Sequence, residues 1–178
     1  YNLDKTNIKD GVQCNKKLWF NFHEPIKKKH NAEFHKGDRF GLIVRKNYGE
    51  GLDLSGNTNI KEVVSKTAEA LKSNEVNVIY EGAFIFEETL VRTDVLFKNK
   101  DGWDLLEAKA TSKIEEKKGV YKSEYLLDVA IQTFILKKCG VNLKNVKLIY
   151  LNKNFIYNGN KEYTDLTIEE KVTDEIQL

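Results

Sequence analysis

The sequence predicts an α/β fold with the element order α-β-β-β-α-β, preceded by an N-terminal helical extension. Three observations predict it. Ile60, Val63, Val64, Thr67, Ala68 and Leu71 follow helical spacing. Three strand-like runs follow, over 76–86, 90–98 and 103–110, rich in β-branched and aromatic residues. A helix from Ser123 to Gly140 and a β-rich run over 146–151 complete the order α-β-β-β-α-β.

Each element has a local justification. Residues 6–22 read as a helix anchored by Leu18, Trp19 and Phe22. The stretch 24–57 is less regular, with a short helix expected over 38–46 and a turn at Gly49 and Gly51. One domain is expected, with 1–57 as the extension, 58–152 as the core and 153–178 as a C-terminal hairpin or tail. Asn59 followed by Glu62 resembles a capping box and starts the helix at 60. Asp101, Gly102 and Trp103 turn the chain between the second and third strand runs. Ser123 is expected to cap the next helix, and Gly140 to stop it. Asn158 and Gly159 suggest the turn of a last hairpin over 155–163.

A chain of 178 residues, 40% of them hydrophobic, can bury a sizeable core. It has no apolar run long enough to span a membrane and no secretory signal pattern. Its two cysteines suit a reducing cytoplasm rather than a disulfide scaffold. A cytoplasmic protein without membrane partners is therefore expected. The net charge of +2 advertises no nucleic acid by itself. Local lysine clusters matter more: Lys16 and Lys17; Lys27, Lys28 and Lys29 beside His30; and the lysines between 113 and 122. Such clusters are usually solvated faces. They gain weight as DNA contacts only beside a phosphodiester site.

That site is suggested by Asp94 and the triplet Glu107, Ala108, Lys109. Side chains alternate along a strand, so Glu107 and Lys109 share one face while Ala108 points away. A hairpin can put Asp94 beside Glu107. Two carboxylates and the Ala108 carbonyl then form an open oxygen site suited to Mg²⁺, and Lys109 adds a cation near developing negative charge. The bland alternative is a surface ion pair worth about 0–1 kcal/mol. The context weighs against it. Asp94 is flanked by Val91, Val95, Leu96 and Phe97, and Glu107 follows Trp103, Leu105 and Leu106. Charges in apolar runs are rarely buried without a partner or a task. The following helix carries Tyr125, Asp128 and Gln132.

These residues resemble the PD-(D/E)xK nuclease superfamily, in its RecB-like branch, which includes the nucleases of CRISPR spacer acquisition. Asp94 matches the motif Asp, Glu107 to Lys109 match E-x-K, and Gln132 matches the Gln of the Q-x-x-x-Y helix. The run from Gln13 to Trp19 looks like the C-P-K-R-L-W opening of one uncharacterised RecB-like family. The run from Phe34 to Gly41 looks like its Gly-rich helix start. The resemblance implies a restriction-endonuclease-like core, a mixed central sheet flanked by helices, and an Mg²⁺- or Mn²⁺-dependent deoxyribonuclease acting on single- or double-stranded DNA. It implies Asp94, Glu107 and Ala108 as metal ligands, Lys109 as the residue acting on water, and Gln132 with Tyr125 as contacts to the strand. Glu81 is then a candidate second-metal ligand or water-orienting base, weighed evenly against an exposed strand Glu. His35 and Asp38 are weaker candidates, with surface or capping roles favoured.

There are departures. Leu136 stands where Tyr is expected, with Tyr125 on the same helix as the substitute. Gly41 stands where the branch often carries His. Cys14 fits the first ligand of the iron–sulfur cluster some members hold, but Cys139 alone remains, so no cluster is expected; simple burial is the plain alternative for Cys14. The family's setting is repair, recombination or defence, sometimes inside a larger machine. A retired nuclease fold serving as a nucleic-acid-binding or partner-binding module is the alternative, and hydrolysis of another phosphodiester a third. No base-reading element stands out, so nonspecific or structure-directed cutting is expected.

Overall fold

Short polar caps and one sharp bend organise the chain. The computed structural model describes residues 2–25, 32–159 and 163–176, with the backbone alone at 32–35 and 164. A two-residue strand, β1 (Leu3–Asp4), runs into α1 (Lys5–Gln13), where Asp4 and Asn7 close a reciprocal capping box. Cys14 then takes an extended backbone, φ −169° and ψ 117°. It splits the expected single helix into α1 and α2 (Asn15–His23). Cys14 is exposed, so the plain alternative of simple burial does not hold. The backbone N–H groups of Lys17 and Lys16, at the start of α2, pull its thiol below the usual range. Lys27, Lys28, Lys29, His30 and the side chain of His35 lie outside the described residues.

α3 (Ala32–Tyr48) is much longer than the helix expected over 38–46. β2 (Leu52–Asp53) lies ahead of residue 58, yet it pairs with the main sheet. α4 (Ile60–Lys72) starts at Asn59, whose side chain accepts the Glu62 N–H at 3.4 Å. The other half of the expected box is replaced, because Asn57 Oδ1 takes the Asn59 N–H at 2.9 Å.

Two of the expected strands are each broken in two. The run 76–86 becomes β3 (Val78–Tyr80) and β4 (Ala83–Phe86). The run 90–98 becomes β5 (Thr89–Arg92) and β6 (Val95–Asn99). Both breaks fall at one level: the Glu81 N–H donates to the Asp94 carbonyl at 3.2 Å, and the Thr93 N–H to the Gly82 carbonyl at 2.9 Å. Glu81 is left-handed, φ 56°. A Cβ at Gly82 would meet Ile79 at 3.2 Å and Thr67 at 3.3 Å, so only glycine sits easily in this bend. Beyond the bend, β4 and β5 join β1 in a three-stranded sheet; before it, β3 and β6 stay in the main sheet.

The rest of the chain supplies β7 (Gly102–Lys109), the hairpin β8 (Glu115–Lys117) and β9 (Val120–Tyr121), α5 (Ser123–Lys138), β10 (Leu143–Leu151) and β11 (Thr167–Lys171). The main sheet has the order β11-β10-β7-β6-β3-β2. β7 is antiparallel to β6 and parallel to β10, so the sheet is mixed and the α/β class holds. Ser123 is the first helical residue of α5 rather than its cap; Lys122 takes that position without a side-chain bond. The stop at Gly140, φ 81°, is as expected. Among the described residues 155–163 form no hairpin, and β11 pairs with β10 instead. Residues 160–162 of that expected hairpin lie outside the described residues.

β7 is covered on both faces, which explains its nearly unbroken apolar run. Leu105 packs with Val63 of α4, Leu136 of α5, Ile79 and Leu96. Leu106 packs with Phe40 and Val44 of α3, Val95 and Ile149. Alternation then sends Glu107 and Lys109 to the Leu105 face, towards α5. No described helix is long and apolar enough to cross a membrane.

The turn into β7 is tight. Asn99 Oδ1 accepts the N–H groups of Asp101 and Gly102 at 2.8 and 3.0 Å. Gly102 has φ 154°, and a Cβ there would lie 2.3 Å from the Asn142 carbonyl oxygen. Gly102→Ala is expected to cost about 2–4 kcal/mol, seen as a lower urea midpoint with an unchanged slope. A midpoint equal to wild type would show that the turn relaxes freely.

Candidate active site

The site forms where β6 begins. Val95 pairs with Leu106, so Asp94, the next residue back, comes opposite Glu107. The Ala108 N–H donates to Asp94 Oδ2 at 2.7 Å. The N–H and C=O of one strand residue point to the same edge, so the Ala108 carbonyl also faces the gap that β6 leaves. Among the described residues no three His, Cys, Asp or Glu side chains form a ready-made metal cage. A cation at this edge would draw on Asp94, Glu107, the Ala108 carbonyl and water. That hard-oxygen set fits Mg²⁺ or Mn²⁺.

Glu107 is 3% exposed, and both its oxygens are held. Oε1 accepts Lys109 Nζ at 2.9 Å and Lys5 Nζ at 3.0 Å. Oε2 accepts Gln132 Nε2 at 2.7 Å. Lys109 Nζ also donates to Asp128 Oδ2 at 2.5 Å. Lys9 Nζ lies 2.8 Å from Asp128 Oδ1, an ionic contact without hydrogen-bond alignment. Two i, i+4 pairs therefore meet at the sheet: Lys5 and Lys9 from α1, Asp128 and Gln132 from α5. Tyr125, one turn before Asp128, is half-buried, with the Lys109 and Lys122 ammoniums 5.3 and 5.1 Å from its ring centre.

Burial, then the neighbouring Glu107 charge, pushes the Asp94 carboxyl above the usual range. Burial pushes Glu107 the same way, but Lys5, Lys109 and the Gln132 amide together outweigh it and hold Glu107 low. Burial alone would lower Lys109; Glu107 and Asp128 reverse that and keep it charged. The Asp94 shift has a stability consequence. Between its ordinary value of 3.8 and its raised value, the fold keeps a proton that the unfolded chain has lost. Stability therefore falls as pH rises through that window. Glu107 runs the other way, its contribution present above its ordinary value and lost as pH falls towards its depressed one. Asp94→Asn keeps an acceptor for the Ala108 N–H and removes the cost. It is expected to raise Tm at pH 8, with the gain fading by pH 4. A lower Tm at pH 8 would contradict the carboxylate repulsion.

Glu81 stands at the bend on a cleft of about 520 Å³ shared with Asp38, Gly41, Asp94, Glu107 and Ala108. It is no bare strand carboxylate, since Arg45 Nη2 lies 3.3 Å and Arg92 Nε 3.7 Å away. Burial raises its pKa, partly offset by these two arginines. A Cβ at Gly41 would meet nothing within 4 Å, leaving open space beside this cleft. Gln132 is fully buried behind Glu107, to which its amide is bonded, and lines neither cleft at the site. Leu136 is fully buried in the core.

A second cleft, about 900 Å³, opens on the α1 side, walled by Lys5, Lys9, Lys17, Lys109, Glu107 and Asp128. Glu107 lines both clefts. Sequence reasoning passed over Lys5 and Lys9 and gave Asp128 no role. A carboxylate inside an otherwise apolar helix was the available signal for Asp128. The lysines between 113 and 122 sit around the β8–β9 hairpin, where Glu115 and Glu116 dilute their charge. No protein-family model matches this chain, and no curated protein matches its sequence.

Proposed function

We propose that this protein is a divalent-metal-dependent nuclease hydrolysing DNA phosphodiester bonds on a restriction-endonuclease-like core of the RecB-like kind. One observation carries the reading: at the open edge of β7, Asp94 and Glu107 adjoin, the Ala108 carbonyl faces the same gap, and Lys109 lies on the Glu107 face. Mg²⁺ or Mn²⁺ held by Asp94, Glu107 and Ala108 would supply a water of lowered pKa and charge neutralisation at the phosphate. Lys109 presents a fixed ammonium to that water and to developing negative charge. Asp128 holds Lys109, Gln132 holds Glu107, and Tyr125 offers an aromatic ring beside Lys109 to the bound strand. Glu81, across the smaller cleft, orients water or an outer ligand. The lysine wall of the larger cleft suits a polyanion read through its phosphates. The setting proposed is cytoplasmic, in repair, recombination or defence, alone or within a larger machine.

The test is cleavage of end-labelled single- and double-stranded DNA with Mg²⁺, Mn²⁺ or EDTA, comparing wild type with Glu107→Gln. Cutting that needs metal and is lost in the variant is expected. Undiminished cutting by Glu107→Gln would overturn the assignment. A gel shift without cutting would favour a retired, DNA-binding module.

A further inference from the structure

At the end of β7 the carboxylates of Asp94, Glu107 and Asp128 gather with the ammoniums of Lys5, Lys9 and Lys109. Their formal charges cancel. A divalent cation entering this mostly buried cluster would leave it two charges positive, and a low local dielectric makes that repulsion strong. Withdrawal of one ammonium would relieve part of that repulsion. Lys109 is fixed by its strand, by Glu107 at 2.9 Å and by Asp128 at 2.5 Å. Lys9 touches Asp128, which is not among the proposed metal ligands. Lys5 sits on Glu107 Oε1 at 3.0 Å, on a carboxylate the metal needs. Its helix is also the most loosely held of the site's elements. α1 buries one residue, Asp10, and is preceded by the two-residue pairing of β1 with β5.

We infer that Lys5 is a tethered cation that competes with the metal for Glu107 and yields that carboxylate on loading, so that α1 sets metal affinity and loosens when metal binds. This rests on the metal site proposed above.

Mn²⁺ binding followed by electron paramagnetic resonance, without DNA, tests it on wild type, Lys5→Met, Lys5→Arg and Glu107→Gln. Lys5→Met, which keeps the length and loses the charge, is expected to bind Mn²⁺ about tenfold more tightly, with Lys5→Arg close to wild type. Hydrogen exchange on wild type needs no substitution, and the amides of 5–13 should lose protection on loading. Unchanged or weaker Mn²⁺ binding by Lys5→Met, or unchanged α1 protection, overturns the inference. If Glu107→Gln binds Mn²⁺ as wild type does, the metal site itself is wrong. If Glu107→Gln loses Mn²⁺ while Lys5→Met matches wild type, the metal site stands and the role of Lys5 falls.

Discussion

Lys109→Met is expected to slow metal-dependent DNA cleavage by about 10²–10³-fold while leaving the protein folded. Methionine keeps most of the side chain's length, so the change removes charge more than packing. The partners left behind are not orphaned. Glu107 retains Lys5 and Gln132, and Asp128 retains Lys9. Metal binding should therefore survive in the variant, and the loss should appear in the single-turnover rate at saturating Mn²⁺. Lys109→Arg is expected to restore little, because a planar guanidinium cannot meet Glu107 and Asp128 at the geometry of one ammonium. Cutting within threefold of wild type by Lys109→Met, with circular dichroism unchanged, would remove Lys109 from the chemistry.

What could be read from the sequence was what depends on local period. Strand alternation put Glu107 and Lys109 on one face, and the Asp101–Gly102 turn brought Asp94 opposite Glu107. What could not be read depends on contacts between distant segments. The breaks at Glu81 and Asp94 lie inside runs that look uniformly β-forming. The bend comes from two chain segments pairing across Glu81 and Asp94, and from a glycine packed against Thr67 of α4. Lys5 and Lys9 look like any solvated i, i+4 lysines until α1 docks against residues about a hundred positions away. Gln132 was assigned to the strand side because its motif is read along one helix. Its burial behind Glu107 is a property of how α5 lies on the sheet. The β8–β9 hairpin escaped notice because its Glu and Lys residues carry no apolar alternation.

Asp128→Ala is expected to destabilise the fold by about 3–5 kcal/mol, as removal of one partner of a buried ion pair does. Asp128 is 3% exposed and stands between two ammoniums that differ in consequence. The Lys9 side chain is 32% exposed and can turn to water, so its coupling to Asp128 should stay below about 1 kcal/mol in a double-mutant cycle with Lys9→Met. The Lys109 side chain is 16% exposed and has no such exit; it would keep Glu107 alone, an oxygen it already shares with Lys5. The coupling of Asp128 to Lys109 should therefore be the larger. High pH gives an independent check. Asp128 helps raise Lys109 above its ordinary 10.5, so the stability it lends is fully present below that value and lost as pH rises through the folded one. In Asp128→Ala that alkaline loss should shrink, because much of the stabilisation is already gone at pH 7. Urea midpoints at pH 7 and pH 11 for wild type and variant measure both effects. A variant within about 1 kcal/mol of wild type at pH 7 would mean that the network gives no more than a surface ion pair, and that Asp128 is kept at the site for the position of Lys109 alone.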